Sequence, residues 1–397
     1  MIVVQKNYKP IKNMYPEKKI RVLQTIRQGK IGGGESHVLD LVSTLDRSRF
    51  EPVVLAFTGG PMIQALEQMQ VPAYVIESEK AFDISVWKQV KRFMQQQQID
   101  LVHVHGTRAN TNVLWAARSL ALPLIYTIHG WSFHEGLHPV MKRMRIAAER
   151  FITRKAQVNI CVSESNRQTG LAAFGRFQAE VVKNGVNLLK FDPDASYPDV
   201  KMACGIPAHH LVVGYIARMT LQKDPVTMVK AFAAAVQQQP DMTLLMVGGG
   251  ELQQAARDAA QALGINANVV FQDFRQDVPA VLNAMDVYCL PSLWEGFPIG
   301  VLEAMAMGKA VIATDVDGTR EAVAHERNGL LVPATDTQAL TAAILRLAAD
   351  KALRDRLRCQ AIATVQTTYN VTGMTRKIET IYSKLLADGA NKANAKS

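Results

Sequence analysis

Short β-rich runs alternate with stretches of helical spacing along this chain, and the alternation happens twice. "KIRVLQTI" precedes a glycine turn and "ESHVLDLVSTLD", where Val38, Leu41, Val42 and Leu45 recur at helical intervals. "FEPVVLAF", "PAYVIE", "IDLVHVHG" and "PLIYTIHG" continue the series, with helical segments between them. Strands separated by helices form βαβ units and a mostly parallel sheet. The rhythm breaks at "GVNLLKFDPDASYPDVKMACGIPAHH", which holds Pro193, Pro198 and Pro207. It then resumes through "LVVGYIAR", "MTLLMVGGG", "NVVFQDF", "DVYCLPS", "AVIATD" and "GLLVP". The expected fold class is therefore α/β, with two Rossmann-like βαβ domains. The expected divisions are a basic lead-in (1–19), a first domain (20–187), a linker (188–210), a second domain (211–369), a last helix (370–386) and a disordered tail (387–397). Ligands of such sheets bind beyond the carboxyl ends of the strands. With two halves facing one another, the expected site is the cleft between them.

Charge divides the halves. Residues 1–201 hold 27 Lys+Arg against 17 Asp+Glu, whereas residues 202–397 hold 18 of each, so the first half carries the whole excess of +10. A basic half points to an anionic partner. Nucleic acid is not expected: single-strand binders interleave aromatics on a basic surface, and Trp87, Trp115, Trp131 and Trp294 are widely separated. No leader peptide is expected from "MIVVQKNYKPIKNMYPEKK", and no uninterrupted apolar run is long enough to span a bilayer. Cys161, Cys204, Cys289 and Cys359 have no CxxC spacing, which fits a reducing compartment.

Three motifs stand at strand ends. "IGGGE" lies between a strand and a helix, where Gly33 and Gly34 either cradle an anion or simply make a tight turn. "GYIARMTLQKD" sets Arg218 after a strand and Lys223 five residues on. The two cations either neutralise a diphosphate leaving group or are unrelated loop charges. "PSLWEGFPIGVLEAMAMG" places Glu295 in a turn and Glu303 inside the following helix. The N–H groups at that helix start can face an anion, while the glutamates either grip sugar hydroxyls or are surface residues. The histidines at 103, 105, 129, 134 and 138 show no recurrent ligand spacing. They are read as polar cleft residues, and no metal is expected.

"PSLWEGFPIGVLEAMAMGKAVIATDVDGTREAV" closely resembles the signature of the family-four retaining glycosyltransferases, which have the GT-B fold. "GGGESHVLDLV", "DLVHVHG", "TIHG", "VSESNRQ", "VKNGVN", "GYIARMTLQKD", "LLMVGGGE", "VVFQDF" and "NGLLV" fit the same family in the same order, over about residues 20–370. The resemblance implies that Arg218 and Lys223 bind the donor diphosphate. It implies that Glu303 binds the ribose and Glu295 the donor sugar. The backbone from Phe297 through Pro298, Ile299 and Gly300 to Val301 would cradle sugar and phosphate. Gly33 and Gly34 would close over the phosphates, and His129 would sit by the anomeric carbon. The segment Phe271 to Arg275 would hold the base, and the last helix would cross back to the first domain. His105 and Glu35 are weaker acceptor-side candidates, because Ser36 and His37 stand where the family often has a basic residue.

The implied reaction is displacement of a nucleoside diphosphate, UDP or GDP, by an acceptor hydroxyl, with no cofactor. In such families the leaving phosphate is thought to take the acceptor's proton. Glu295 is then a positioning group rather than a nucleophile. The expected setting is cytoplasmic, in cell-envelope polysaccharide, lipopolysaccharide or glycolipid synthesis. A soluble transferase for a small acceptor and a non-catalytic nucleotide-sugar binder are the competing readings. "MKRMRIAAERFITRKA" (141–156) sets six cations beside one acid, Glu149, among Met141, Met144, Ile146, Phe151 and Ile152. It is either an amphipathic helix for an anionic membrane or a solvated basic face over a core stripe.

Overall fold

The computed structural model describes residues 18–29 and 32–394, with side chains described through 388. Most of the expected lead-in, residues 1–17, and the end of the expected tail, residues 395–397, lie outside the described residues.

The first domain carries β1 (Ile20–Ile26), β2 (Phe50–Ala56), β3 (Ala73–Val75), β4 (Leu101–His105), β5 (Leu124–Ile128), β6 (Val158–Cys161) and β7 (Glu180–Val181). They form one sheet in the order β3-β2-β1-β4-β5-β6-β7, and every pairing is parallel. The second domain carries β8 (Leu211–Ile216), β9 (Met242–Val247), β10 (Val269–Gln272), β11 (Val287–Leu290), β12 (Ala310–Thr314) and β13 (Leu330–Val332). Their order is β10-β9-β8-β11-β12-β13, again parallel throughout. Helices on both faces explain the near-continuous burial of these strands: β4, β5, β9, β11 and β12 are buried at every position.

Both sheets reverse direction of travel beside their first strand, between β1 and β4 and between β8 and β11. Such a switch point leaves a crevice at the carboxyl ends where two successive crossovers diverge. The glycine turn follows β1, His105 ends β4, Arg218 follows β8, and Glu295 follows β11. The two switch points supply the two walls of one cleft of about 1620 Å³.

The segment expected as a linker contains one helical turn, Val200–Ala203, started by Asp199, whose carboxylate accepts from Met202 N. The last helix, Val371–Asn394, runs beyond the expected end at 386, so the tail through 394 is helical rather than disordered. Thr372, Arg376, Lys377 and Lys384 keep its outer side polar, while Val371, Met374, Ile378 and Tyr382 stack on the first sheet with Val22, Phe50 and Leu101. The chain crosses between domains twice, side by side. Val186 N donates to Tyr369 O at 2.8 Å, and Val371 N to Val186 O at 3.0 Å.

Candidate functional site

Second-domain side chains form the charged wall. Arg218 stands exposed after β8 with no ion-pair partner among the described residues. Lys223 ends a short 3₁₀ turn and pairs with Glu295, whose side chain is nearly buried. Asp224, at φ 42°, then caps the next helix by accepting from Thr227 N at 3.2 Å, which fixes the direction of the turn that carries Lys223. The helix Ile299–Ala306 starts at Pro298 with no side-chain cap. Its first N–H groups, on Ile299 and Gly300, have no backbone acceptor and face the cleft. Two cations and an uncapped helix start thus line one cleft, an arrangement that favours an anion.

Glu303 sits one turn further in, half-buried and lining the cleft. Burial raises its carboxyl above the usual range, with Lys190 opposing. Asp40, on the first helix of the other domain, is raised to about 7 by burial and then by the charge of Glu303. A carboxyl group of each domain therefore meets in the cleft, with Lys190 as their shared cation.

Beside the glycine turn the first-domain wall presents neutral imidazoles, while Glu135 and Lys142 line the cleft elsewhere. Gly33 and Gly34 open the helix Gly33–Thr44, and a Cβ on Gly34 would lie 3.6 Å from His129 Cδ2. His129 lines the cleft just after β5. Behind it, His105 Nδ1 lies 3.1 Å from His129 Nε2. Burial lowers His129, His105 and His37, the last to about 4, so these imidazoles are neutral near pH 7. Three rings that the sequence leaves far apart gather, with ring nitrogens within 4.8 Å of one another.

Several expectations are corrected. His105 is buried behind His129 and does not line the cleft. Glu35 is also buried, its carboxyl raised to about 7 by desolvation against the opposing charge of Arg218, and so is no open acceptor contact. Phe271 turns toward the core beneath Arg257, 4.5 Å from the ring centroid, because strand side chains alternate between faces. Phe274 and Arg275 of that segment do line the cleft, the latter paired with Asp277 at 2.6 Å. Val301 is core. Phe297, Pro298, Ile299 and Gly300 line the cleft as expected.

The residues that join the two walls were not anticipated. Asn184 Nδ2 donates to Phe297 O at 3.0 Å across the domains, while its Oδ1 accepts from His37 Nδ1 at 3.0 Å. Glu321 accepts from Ser165 N at 2.8 Å and Glu164 N at 3.1 Å, at the start of a first-domain helix, and pairs with Lys183 at 2.9 Å. His134 stacks on Trp294 with ring centroids 4.3 Å apart and an interplanar angle of 14°. A Cβ on Gly296 would clash with the carbonyl oxygen of His129, so only glycine allows this approach of the two backbones. "VKNGVN" and "GTREAV" carried this signal, but an Asn and a Glu in loops name no partner by themselves.

The basic helix Pro139–Thr153 is resolved in the same way. Glu149 points inward and is buried, bonded by Thr107 at 2.6 Å and Tyr126 at 3.1 Å. Ile152 is core, yet Val140, Met144 and Phe151 are exposed, on the side that also shows Arg143, Arg150 and Arg154. The core-stripe reading is thus wrong for Met144 and Phe151. No helix among the described residues is long and apolar enough to cross a membrane.

Comparison with known proteins agrees with this geometry. The glycosyltransferase family 4 profile matches residues 31–189, and that of the glycosyl transferases group 1 matches residues 201–364. A phosphatidyl-myo-inositol mannosyltransferase of Mycolicibacterium smegmatis is 30% identical over 342 residues, covering 81% of this chain and 83% of the relative. An Escherichia coli UDP-Gal:alpha-D-GlcNAc-diphosphoundecaprenol alpha-1,3-galactosyltransferase is 25% identical, over 84% of this chain and 89% of its own. HepE of Anabaena, solved with UDP and glucose, superposes with a TM-score of 0.82 at 24% identity, covering 92% of this chain and all of HepE. On these matches and this two-sheet GT-B architecture, the chain belongs to the family-four glycosyltransferases.

Proposed function

We propose that the protein moves a sugar from UDP to a glycan or lipid-linked acceptor at an anionic membrane surface, with retention of configuration and without a metal ion. The observation that carries the reading is that Arg218, Lys223 and the helix start at Ile299 and Gly300, whose N–H groups have no backbone acceptor among the described residues, line the same cleft. Charge grows on the departing diphosphate, so fixed donors there act mostly in the transition state. Lys223 can neutralise that charge without a cation cofactor. Glu295, held beside Lys223, is placed to accept hydroxyls of the donor sugar. Glu303 is placed to accept the ribose diol, and Phe274 and Arg275 to flank the base. The leaving phosphate is the group that takes the acceptor's proton. Uracil is favoured because UDP-galactose and UDP are named for two of the similar proteins.

The acceptor reading rests on the helix Pro139–Thr153. Exposed Val140, Met144 and Phe151 would enter the interface of a cytoplasmic leaflet while Arg143, Arg150 and Arg154 meet anionic headgroups, at about 1 kcal/mol per cation. Flotation with phosphatidylglycerol vesicles tests this: wild type floats, and Met144→Ser/Phe151→Ser does not. A wild type that stays unbound at physiological salt places the acceptor in solution instead. The donor reading is tested by calorimetric titration with UDP, GDP and ADP in the presence of a chelator. UDP alone should bind. The anomeric configuration of the product, read by NMR, decides retention.

A further inference from the structure

Behind His129, away from the cleft, the first domain buries polar side chains that no donor would touch. Gln24 on β1, His103 and His105 on β4 and Thr127 on β5 are at most 2% exposed, and Tyr382 reaches them, fully buried, from the last helix. Burying such groups is costly unless each finds a partner, and here they bond in series. Gln24 Nε2 donates to Tyr382 Oη at 2.9 Å. Tyr382 Oη lies 2.6 Å from His103 Nδ1, and His103 Nε2 lies 2.7 Å from Thr127 Oγ1. On the other side, Gln24 Oε1 lies 2.9 Å from His105 Nε2, and His105 Nδ1 lies 3.1 Å from His129 Nε2.

The proton positions follow from the Gln24 amide. Its carbonyl oxygen can only accept, so His105 carries its proton on Nε2. His105 Nδ1 is then a lone pair, and His129 must donate Nε2–H to it. His129 Nδ1 is left as a bare acceptor with no partner among the described residues, on a ring that lines the cleft. At the far end Tyr382 Oη accepts from Gln24, so its hydrogen goes to His103 Nδ1, and His103 Nε2–H goes to Thr127. All the bonds point one way, and turning the amide over would reverse every one of them.

We propose that Tyr382 is a positioning residue for the transfer site: through Gln24 and His105 it holds His129 as the Nε2–H tautomer, so that the nitrogen offered to the donor sugar is the acceptor Nδ1. A neutral lone pair suits a reacting carbon that gains positive character as its leaving group departs. An imidazolium, or an N–H turned toward it, would oppose that charge. What His129 meets rests on the donor reading above, but the tautomer does not.

The test is a long-range proton–nitrogen correlation on full-length protein labelled with [15N]histidine. The chain has nine histidines, and His129→Gln assigns the one needed. In wild type, His129 should show Nε2 protonated and Nδ1 bare from about pH 6 to 8, near and above the ordinary imidazole pKa. In Tyr382→Phe, with a native circular-dichroism spectrum, the two tautomers should mix, and kcat for the donor should fall at least about tenfold with its KM little changed. Should Tyr382→Phe not fold, Gln24→Met breaks the same chain and carries the same expectation. Protonated Nδ1 in wild type overturns the proposal, as does an unchanged tautomer in the variants. A shifted tautomer with unchanged kcat overturns the role in transfer. Calorimetry with UDP on wild type separates the two readings: failure there removes the donor assignment and leaves the tautomer result standing.

Discussion

The two walls of the cleft are built by opposite means. The second-domain wall is charged, reachable and underbonded: among the described residues Arg218 has no ion-pair partner, and the helix start at Ile299 has no side-chain cap. The histidine part of the first-domain wall is neutral, largely buried and bonded in series, from Asn184 through His37 on one side and from Tyr382 through Gln24 and His105 on the other. A charged group must stay near solvent or a ligand because its desolvation is expensive. A neutral network can be buried if every member is satisfied. The comparison teaches that one wall is made to exchange partners with a ligand, and the other to hold one geometry while that happens.

The largest test strikes the charged wall. Arg218→Ala/Lys223→Ala should weaken UDP binding at least about a hundredfold by calorimetry, since each charge-assisted bond contributes roughly 1.5–3 kcal/mol. Its melting temperature should fall, because Lys223→Ala leaves the nearly buried Glu295 carboxylate without its partner, whereas Arg218→Ala alone should melt near wild type. An equal loss from substitutions on the neutral wall would break the distinction between the walls.

Next in size is Gly296→Ala. The added methyl has nowhere to go but against the His129 carbonyl, and overpacking of this kind costs about 1–3 kcal/mol. Small-angle scattering should show the two domains further apart, and donor turnover should fall while the separate sheets stay folded. Unchanged scattering and turnover would mean that the domains do not need this approach.

Glu35 sharpens the comparison by pH. Its carboxyl is raised from 4.5 to about 7 by burial, so the folded state binds a proton that the unfolded chain releases. Stability from this group is intact below the ordinary carboxylate range and is lost as pH rises toward 7. Glu35→Gln should therefore melt higher than wild type at pH 8, by on the order of 1–3 kcal/mol, and should lose most of that gain at pH 5. A gain independent of pH would show that Glu35 is not the titrating group.

The smallest effect expected is that of Asn184→Ala. It removes one cross-domain hydrogen bond and the partner of His37, for about 1–2 kcal/mol of stability. UDP affinity should change less than twofold. A large loss of affinity would place Asn184 on the charged wall's side of the division.

Legibility followed the same line. Strands β1, β2, β4, β5, β8, β9, β11 and β12 were visible because parallel strands read as apolar runs between helical periods. Strand β6 was not, since Val158–Cys161 is four residues long with Asn159 inside it, and β7 has only two residues. Arg218, Lys223, Glu295 and Glu303 could be named because charges at strand ends are conspicuous and match the family pattern. Phe271 was misplaced because a motif gives a position along the chain, not the face on which a side chain emerges. Met144 and Phe151 were open to two readings, since an amphipathic stripe looks the same whether a core or a membrane covers it.

The sequence by itself determined the alternation, the two domains, the basic first half and the donor motif, because each is set by neighbours within a few residues. Only the tertiary structure decided that Asn184 meets Phe297, that Glu321 caps a helix of the other domain, and that Tyr382 reaches Gln24 from the far end of the chain. The physical reason is that side-chain hydrogen bonds act only at contact distance. Their partners are chosen by distance and angle once the backbone is in place.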